Sequence, residues 1–257
     1  MKPSLTISVL TYNRWRELLP ACLASIDEQQ LPTDCEKLII NNGNNAKDDI
    51  SDMVRLTPPG WTVHTLQQNR GQIGGQNVCF EVANGDWVLF VSDDVRLQPD
   101  AVLRLWMSRQ PDAVLQPIIE NPNGSIQNAG MDWWWPGYGI GRRAYRHEWT
   151  TIVPSITYLM PRDVWNLLGG FDENLQFAYE DVDFGLRMFD RGIHGRVIHD
   201  AHATHLANQT LKHTMTHHRQ RFHEARLQVI RKHYTGVDRW LRVVAVTVID
   251  GIRKMIT

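Results

Sequence analysis

Three short segments of the chain carry residues whose types and spacing suit chemistry on a charged ligand. The first is Gly85-Asp86-Trp87-Val88-Leu89-Phe90-Val91-Ser92-Asp93-Asp94, a run of large apolar residues that ends abruptly on two carboxylates. Such a run reads as a strand buried on both faces, as in a parallel sheet. In open α/β sheets ligands sit beyond the carboxyl ends of the strands, which is where Asp93 and Asp94 fall. The second is Tyr179-Glu180-Asp181-Val182-Asp183, three carboxylates at the start of a helical pattern. The third is His199-Asp200-Ala201-His202-Ala203-Thr204-His205, just after a short strand pattern. A few carboxylates and one imidazole suit a hard divalent cation whose other ligands are phosphate oxygens and water. No cysteine lies near this set, which argues against a structural zinc site. The three histidines are not expected to converge, because a strand turns alternate side chains to opposite faces.

The elements that must position these residues follow from periodicity. Leu5, Ile7 and Val9 alternate with Thr6 and Ser8, which predicts a first strand ending at Thr11-Tyr12-Asn13-Arg14. Residues 15–26 have helical spacing through Leu18, Leu19, Cys22, Leu23 and Ile26, with Pro20 expected only near a helix start. Residues 37–40 read as a second strand that ends on the turn cluster Asn41-Asn42-Gly43-Asn44-Asn45. A third strand over 61–66 leads into Asn69-Arg70-Gly71-Gln72-Ile73-Gly74-Gly75, and a helix is expected over 76–83. Strands and helices alternate at short intervals up to residue 107, which argues βαβ units and a mainly parallel sheet. From 113 to 160 the texture changes to Pro, Gly, Asn and three consecutive tryptophans, Trp133-Trp134-Trp135, and favours polar strands and loops. Gly169-Gly170-Phe171-Asp172-Glu173 reads as a turn, 180–190 as a helix and 196–198 as a strand. Residues 213–233 form a basic, His-rich helical stretch with Arg219, Arg221, Arg226, Arg231 and Lys232, just after Lys212. The tail carries an apolar stripe (Trp240, Leu241, Val244, Val248, Ile252, Met255), accompanied by Arg239, Arg242, Arg253 and Lys254. One domain over 1–210 with a helical extension over 211–257 is the simplest organisation.

Composition narrows the class. At 257 residues, 42% hydrophobic and 21% charged, the chain is an ordinary globular protein, and its formal charge of −1 carries no nucleic-acid signal. Cys22, Cys35 and Cys79 form no paired motif, so a reducing cytoplasm is expected. The first residues run straight into a strand pattern, so no signal peptide is expected, and no apolar run approaches a bilayer span.

Several segments, taken in order, resemble the family-two inverting glycosyltransferases of the GT-A fold, particularly rhamnosyl- and galactofuranosyl-transferase-like members. They are Ile7-Ser8-Val9-Leu10-Thr11-Tyr12-Asn13-Arg14, Asn69-Arg70-Gly71 with Asn77, Gly85-Asp86 through Asp94, Gly169-Gly170-Phe171-Asp172-Glu173, and Tyr179-Glu180-Asp181-Val182-Asp183 with Leu186-Arg187. The resemblance covers about residues 4–210. It implies an α/β fold with a Rossmann-like, mostly parallel central sheet flanked by helices. It also implies a nucleotide-diphosphate sugar donor, UDP favoured, an acceptor hydroxyl, and Mn²⁺ or Mg²⁺.

The resemblance carries over residue by residue. The family's DXD motif stands here as Ser92-Asp93-Asp94, so the first acidic position is a serine and Asp94 is the implied metal ligand, with His205 as its partner. Asp93 and the Ser92 hydroxyl fall with the donor-binding set. Thr11, Asn13, Arg14, Arg70, Gly71 and Asn77 belong to the same set. The base-binding carboxylate of the family is replaced by Asn41-Asn42, which still can donate and accept to a nucleobase edge. Gly71, Gly74 and Gly75 would let backbone approach phosphates. Glu180-Asp181 matches the acidic pair, with Asp181 as the general base that takes the acceptor proton. Trp133, Trp134 and Trp135 border the acceptor side, where aromatic rings stack on sugars. The basic stretch and terminal helix leave room for peripheral membrane contact. Two rival readings are a silent carbohydrate-binding protein on this fold and a nucleotidyltransferase. The second would want glycines after the first strand, where the chain has Thr11-Tyr12-Asn13-Arg14-Trp15.

Overall fold

The computed structural model describes residues 2–32, 34–43, 47–175, 178–206 and 219–256. Its first half alternates β1 (Leu5–Thr11), α1 (Trp15–Asp27), β2 (Cys35–Asn41), α2 (Lys47–Leu56), β3 (Thr62–Thr65), α3 (Gly71–Val82) and β4 (Trp87–Ser92). A short β5 (Val95–Leu97) and α4 (Ala101–Met107) follow, then β6 (Ala113–Glu120) and β7 (Ile126–Asn128). Next come the hairpin β8 (Met131–Trp134) and β9 (Tyr138–Gly141), β10 (Trp149–Thr150), β11 (Thr157–Pro161), α5 (Arg162–Leu168) and α6 (Glu180–Phe189). The chain then forms β12 (His194–His205), α7 (Arg219–His233) and α8 (Gly236–Ile256).

The main sheet has the order β10-β12-β6-β11-β4-β1-β2-β3. Strands β3, β2, β1 and β4 are mutually parallel, and β12 is parallel to β6. β11 runs antiparallel to both β4 and β6, so β6 and β12 point the same way as the first four strands. This places the ends of β1, β2, β4 and β12 along one edge of the sheet. Apolar residues fill both faces. Leu10, Ile40, Val88, Phe90 and Tyr158 lie in one core, and Ile7, Val9, Ile39, Leu89 and Val91 in the other.

Because both faces are covered, β1 is buried along its whole length, Thr6 and Ser8 included. The alternation in its sequence marks two cores, not a core and a solvent face. Thr6 is satisfied there: its hydroxyl donates to Glu36 Oε2 at 2.6 Å and accepts from the Gly85 N–H at 2.8 Å. Gly85 permits that approach, since a Cβ would stand 2.5 Å from the Thr6 nitrogen. Several boundaries differ from the sequence expectations. α1 tolerates Pro20 in its interior. α3 begins at Gly71, five residues earlier than expected. β6 is buried along nearly its whole length instead of polar. β12 absorbs all three histidines that were expected to follow it.

The C-terminal helices close on the domain. Leu227 and Ile230 of α7 and Val246 of α8 form a small core with Trp133, Tyr138, Tyr234 and Val243. Lys212 and residues 213–218 of the basic stretch, and Asn44 and Asn45 of the turn cluster, lie outside the described residues, as do the side chains of Arg253, Lys254 and Met255.

Candidate active site

At the end of β4 the chain turns tightly through Asp93 and Asp94 into β5, and the two carboxylates diverge. Thr11 Oγ1, at the end of β1, donates to Asp93 Oδ2 at 2.5 Å. Burial pushes the Asp93 carboxyl up to about 6, because it outweighs the Thr11 bond and the nearby Arg14 charge, and the Asp94 charge adds to the rise. Asp94 faces the other way, toward β12, where its Oδ2 lies 3.2 Å from His205 Nε2. The opposite ring nitrogen of His205 meets Gln127 Oε1 at 3.0 Å. A neutral imidazole that donates from Nδ1 to Gln127 turns its Nε2 lone pair toward the carboxylate. Two acceptors at that distance call for a proton or a cation between them. Adjacent ligands of an octahedral ion with bonds of about 2.1 Å lie about 3 Å apart, so the pair fits two positions of a Mg²⁺- or Mn²⁺-type centre. Asp94 Oδ1 is buried without a hydrogen-bond partner, a second sign that an electropositive group belongs there. Among the described residues no third His, Cys, Asp or Glu joins the pair, which leaves the remaining positions to phosphate and water. His202 and His199 go elsewhere: His202 meets Glu120 and His199 meets Asp200, each at 2.8 Å.

The other residues expected at the donor fall into two groups. Thr11 and Asn41 are buried at the ends of β1 and β2, and Ser92 is half-buried at the end of β4. Asn13 takes a positive φ of 57° and is exposed, and Arg14 caps α1 while paired with Glu17 at 2.9 Å. Asn42, Arg70 and Asn77 instead brace the scaffold. The Asn42 amide accepts from the Arg70 N–H at 3.1 Å and donates to the Gly71 carbonyl at 2.8 Å, so it holds the start of α3. Asn77 clamps Phe171 through both its backbone groups, at 3.0 and 3.1 Å, and donates to Glu173 at 2.8 Å. Arg70 donates to the same Glu173 at 2.6 Å. Gly74 and Gly75 are buried inside α3. A Cβ on Gly75 would meet Leu10 at 2.8 Å and Asn42 at 2.9 Å, so Gly75 seats the helix on β1, while a Cβ on Gly74 would meet the Arg70 Cβ at 2.7 Å; neither brings backbone to a phosphate. Gly71 has a positive φ of 71° and open space beside it.

The acidic segment begins α6 after Tyr179, which has a positive φ of 71°. Glu180 is buried and Asp181 partly so. Burial raises the carboxyls of both above their ordinary range, and the Asp181 charge lifts Glu180 further. Part of that environment is apolar: Asp181 borders a small cavity, about 10 Å³, lined by Val114, Val153, Tyr158 and Phe184. The N–H of Val182, 2.8 Å from Asp181 Oδ1, and that of Ser155 oppose the rise. Ser155 also connects the two carboxylate sites. Its neighbour Ile156 accepts from the Ser92 N–H at 3.0 Å, next to the Asp93-Asp94 turn. Asp183 differs in kind. Fully buried, it meets Arg187, Lys232 and His233, each at 2.8 Å, and these hold its carboxyl down at about 2 against the burial that would raise it. It ties α7 to α6. Sequence reasoning singled out neither Gln127 nor Ser155. Each is an ordinary polar residue whose role comes from contacts distant in the chain.

The three tryptophans separate. Trp133 is half-buried under α7 and donates to the Tyr234 hydroxyl at 2.6 Å. Trp134 and Trp135 are exposed, at 58% and 59%. The hairpin reaches α6 at Gly139, where a Cβ would stand 3.3 Å from Val182.

Comparison with known proteins agrees with this architecture. The profile described as Glycosyl transferase family 2 matches residues 6–168. The O-antigen biosynthesis protein RfbC of Myxococcus xanthus is 23% identical over 198 residues, 69% of this chain and 15% of that protein. An N-acetylglucosaminyltransferase of Sinorhizobium fredii is 28% identical over 114 residues, 44% of this chain and 28% of that protein. The chain thus spans less than a third of the length of these relatives. Among solved structures, GalNAc-T7 with UDP, GalNAc and Mn²⁺ superposes with a TM-score of 0.67 at 13% identity, over 79% of this chain and 44% of that one. S. aureus TarS 1–349 in complex with UDP gives 0.60 at 17% identity, over 95% and 70%. Both share the GT-A fold with this chain. With the family profile covering more than half of its length, the chain belongs to glycosyl transferase family 2.

Proposed function

We propose that this chain transfers a sugar from a nucleotide-diphosphate sugar to an acceptor hydroxyl, with inversion at the anomeric carbon. One observation carries the reading: the Asp94–His205 pair and the Glu180-Asp181 pair flank the same Ser155–Ile156 segment. A donor diphosphate at the strand ends and a base at the acceptor are what single displacement needs. Asp181 takes the proton of the acceptor hydroxyl as its oxygen bonds to the anomeric carbon. The bond from that carbon to the diphosphate oxygen breaks on the opposite face, and the nucleoside diphosphate leaves with the electron pair. Burial and the Asp181 charge oppose ionisation of Glu180, the more deeply buried of the pair, which favours the charge on Asp181. Asp94 and His205 would hold Mn²⁺ or Mg²⁺, and Gln127 would fix the His205 ring. When bound, the ion supplies positive charge to the leaving diphosphate. Thr11, Asp93 and Asn41 line the end of the sheet where the nucleoside would lie, and exposed Trp134 and Trp135 offer faces for an acceptor sugar. UDP is the favoured nucleotide, as in the GalNAc-T7 and TarS complexes, whose fold this chain shares.

The test is release of nucleoside diphosphate from a panel of UDP-, dTDP- and GDP-sugars with Mn²⁺ or Mg²⁺, followed with and without a chelator. Metal-dependent release that Asp181→Asn abolishes supports the proposal. Tight donor binding with no release under any condition would favour a silent binding protein.

A further inference from the structure

We propose that the outward face of α8, continued by Trp134 and Trp135 of the β8–β9 hairpin, docks this chain on an anionic bilayer surface. The inner face of α8 is accounted for: Val243 and Val246 enter the small core, and Asp250 meets Tyr138, His223 and Arg226 at 2.6–3.0 Å. The outer face carries Val237, Trp240, Leu241, Val244, Val248 and Ile252, all 41–74% exposed. Their spacing of three and four residues keeps them on one stripe, about 23 Å long at ~1.5 Å per residue, with no charged residue in it. An exposed apolar stripe of that length marks an interaction surface. The hairpin adjoins α8 beside this stripe, where Arg242 donates to the Pro136 carbonyl at 3.3 Å, next to exposed Trp135.

Two further observations choose the partner. The first is charge. Residues 211–257 hold ten Lys or Arg against three Asp or Glu, a formal charge of +7, while residues 1–210 hold 17 against 25, a charge of −8. A second copy would bring +7 against +7. An anionic surface attracts the extension and repels the rest of the chain, which also fixes the orientation. The second is side-chain type. Trp134, Trp135 and Trp240 are three of the four large exposed tryptophans, and Trp favours the boundary between lipid headgroups and acyl chains. No described helix is long and apolar enough to cross a membrane, so α8 lies in the plane of the interface. Docking in this way turns the hairpin toward the bilayer. That the acceptor is then lipid-borne rests on the proposed function; the docking itself does not.

The experiment is flotation of the full chain with vesicles of phosphatidylcholine, alone or mixed with phosphatidylglycerol, and needs no enzymatic activity. The chain should float with the mixed vesicles, and salt should weaken the binding. Trp240→Glu and Val244→Glu should abolish it without changing the thermal midpoint, since both side chains are exposed. Arg239→Gln should weaken it about fivefold, the effect of one charge at about 1 kcal/mol. Absence of flotation at low salt would overturn the proposal. So would a concentration-dependent dimer, dissolved by Val244→Glu, that ignores vesicles: the stripe would then be covered by a second copy.

Discussion

Replacing Asp181 by Asn separates catalysis from structure at this position. The amide is nearly isosteric, and its oxygen can still accept from the Val182 N–H now 2.8 Å from Asp181 Oδ1. The substitution also removes a charge whose ionisation burial opposes. The sign follows from linkage. A carboxyl raised in the folded state stabilises the fold only at low pH, and that contribution is lost as pH climbs from its unfolded to its folded value. At neutral pH the charge is therefore a burden, and Asp181→Asn should unfold no earlier than the parent. What disappears is the proposed base. General-base catalysis contributes about 10²–10⁴ in rate, or roughly 2.7–5.4 kcal/mol of barrier. Turnover should fall by that factor while donor affinity, read by calorimetry, stays within about twofold of the parent, because the donor contacts lie elsewhere. In the parent, the acid limb of kcat/KM should lie above the ordinary carboxylate range near ~4. Turnover within a few-fold of the parent would remove Asp181 from the mechanism. A lower unfolding midpoint with lost donor binding would make it structural.

Three other outcomes are expected. Asp94→Ala should abolish metal-dependent stabilisation by the donor in thermal-shift measurements, while Asp93→Ala, which loses the Thr11 contact, should retain it; the reverse order would exchange their roles. Asp183→Asn should cost about 2 kcal/mol in urea unfolding at neutral pH. That contribution of Asp183 is present above about pH 4 and is lost as pH falls toward about 2, so the parent and variant should converge in acid. Trp134→Ala should raise acceptor KM and leave donor affinity unchanged, measured once an acceptor is in hand; an unchanged KM would free the hairpin from acceptor binding.

The legible parts of the fold were those written in local pattern. β1, β2, β4 and α6 each have an apolar period that a short window captures. The elements that sequence reading missed, α2, α5 and β5, are short or polar, and tertiary packing decides them. Start of α3 at Gly71 is an instance. Glycine disfavours helix in a local argument, yet Gly75 is there because Leu10 and Asn42 approach too closely for any side chain, and a Cβ on Gly74 would stand 2.7 Å from the Arg70 Cβ. The histidines show the same limit. Strand alternation kept three from converging, but only the pairing of β12 with β6 and β5, with its shift between Ile198 and His202, brings His205 to Asp94.

The site residues divide along a physical line. Asp94, Glu180 and Asp181 stood out in the sequence as carboxylates at an apolar strand end and at a helix start, and His205 through the family resemblance. Amides carry no such signal. Asn42 and Asn77 match positions near the donor, yet their hydrogen-bonding capacity goes to Arg70, Gly71, Phe171 and Glu173. That use still bears on function, since Asn77 and Arg70 both hold Glu173, beside the Asp172 that receives Lys232. Lys232 in turn bonds Asp183, two residues from Asp181. A chain of partly exposed ion pairs thus runs from the start of α3 to α6. Asp183 shows how far neighbours decide. It lies two positions from Asp181 and is the more buried, yet the Arg187 and Lys232 charges and a hydrogen bond from His233 hold it ionised where Asp181 has only backbone N–H groups. A carboxylate locked by cations cannot exchange a proton near neutrality, and one held only by dipoles can, which is why the base is sought at 181 and the anchor at 183.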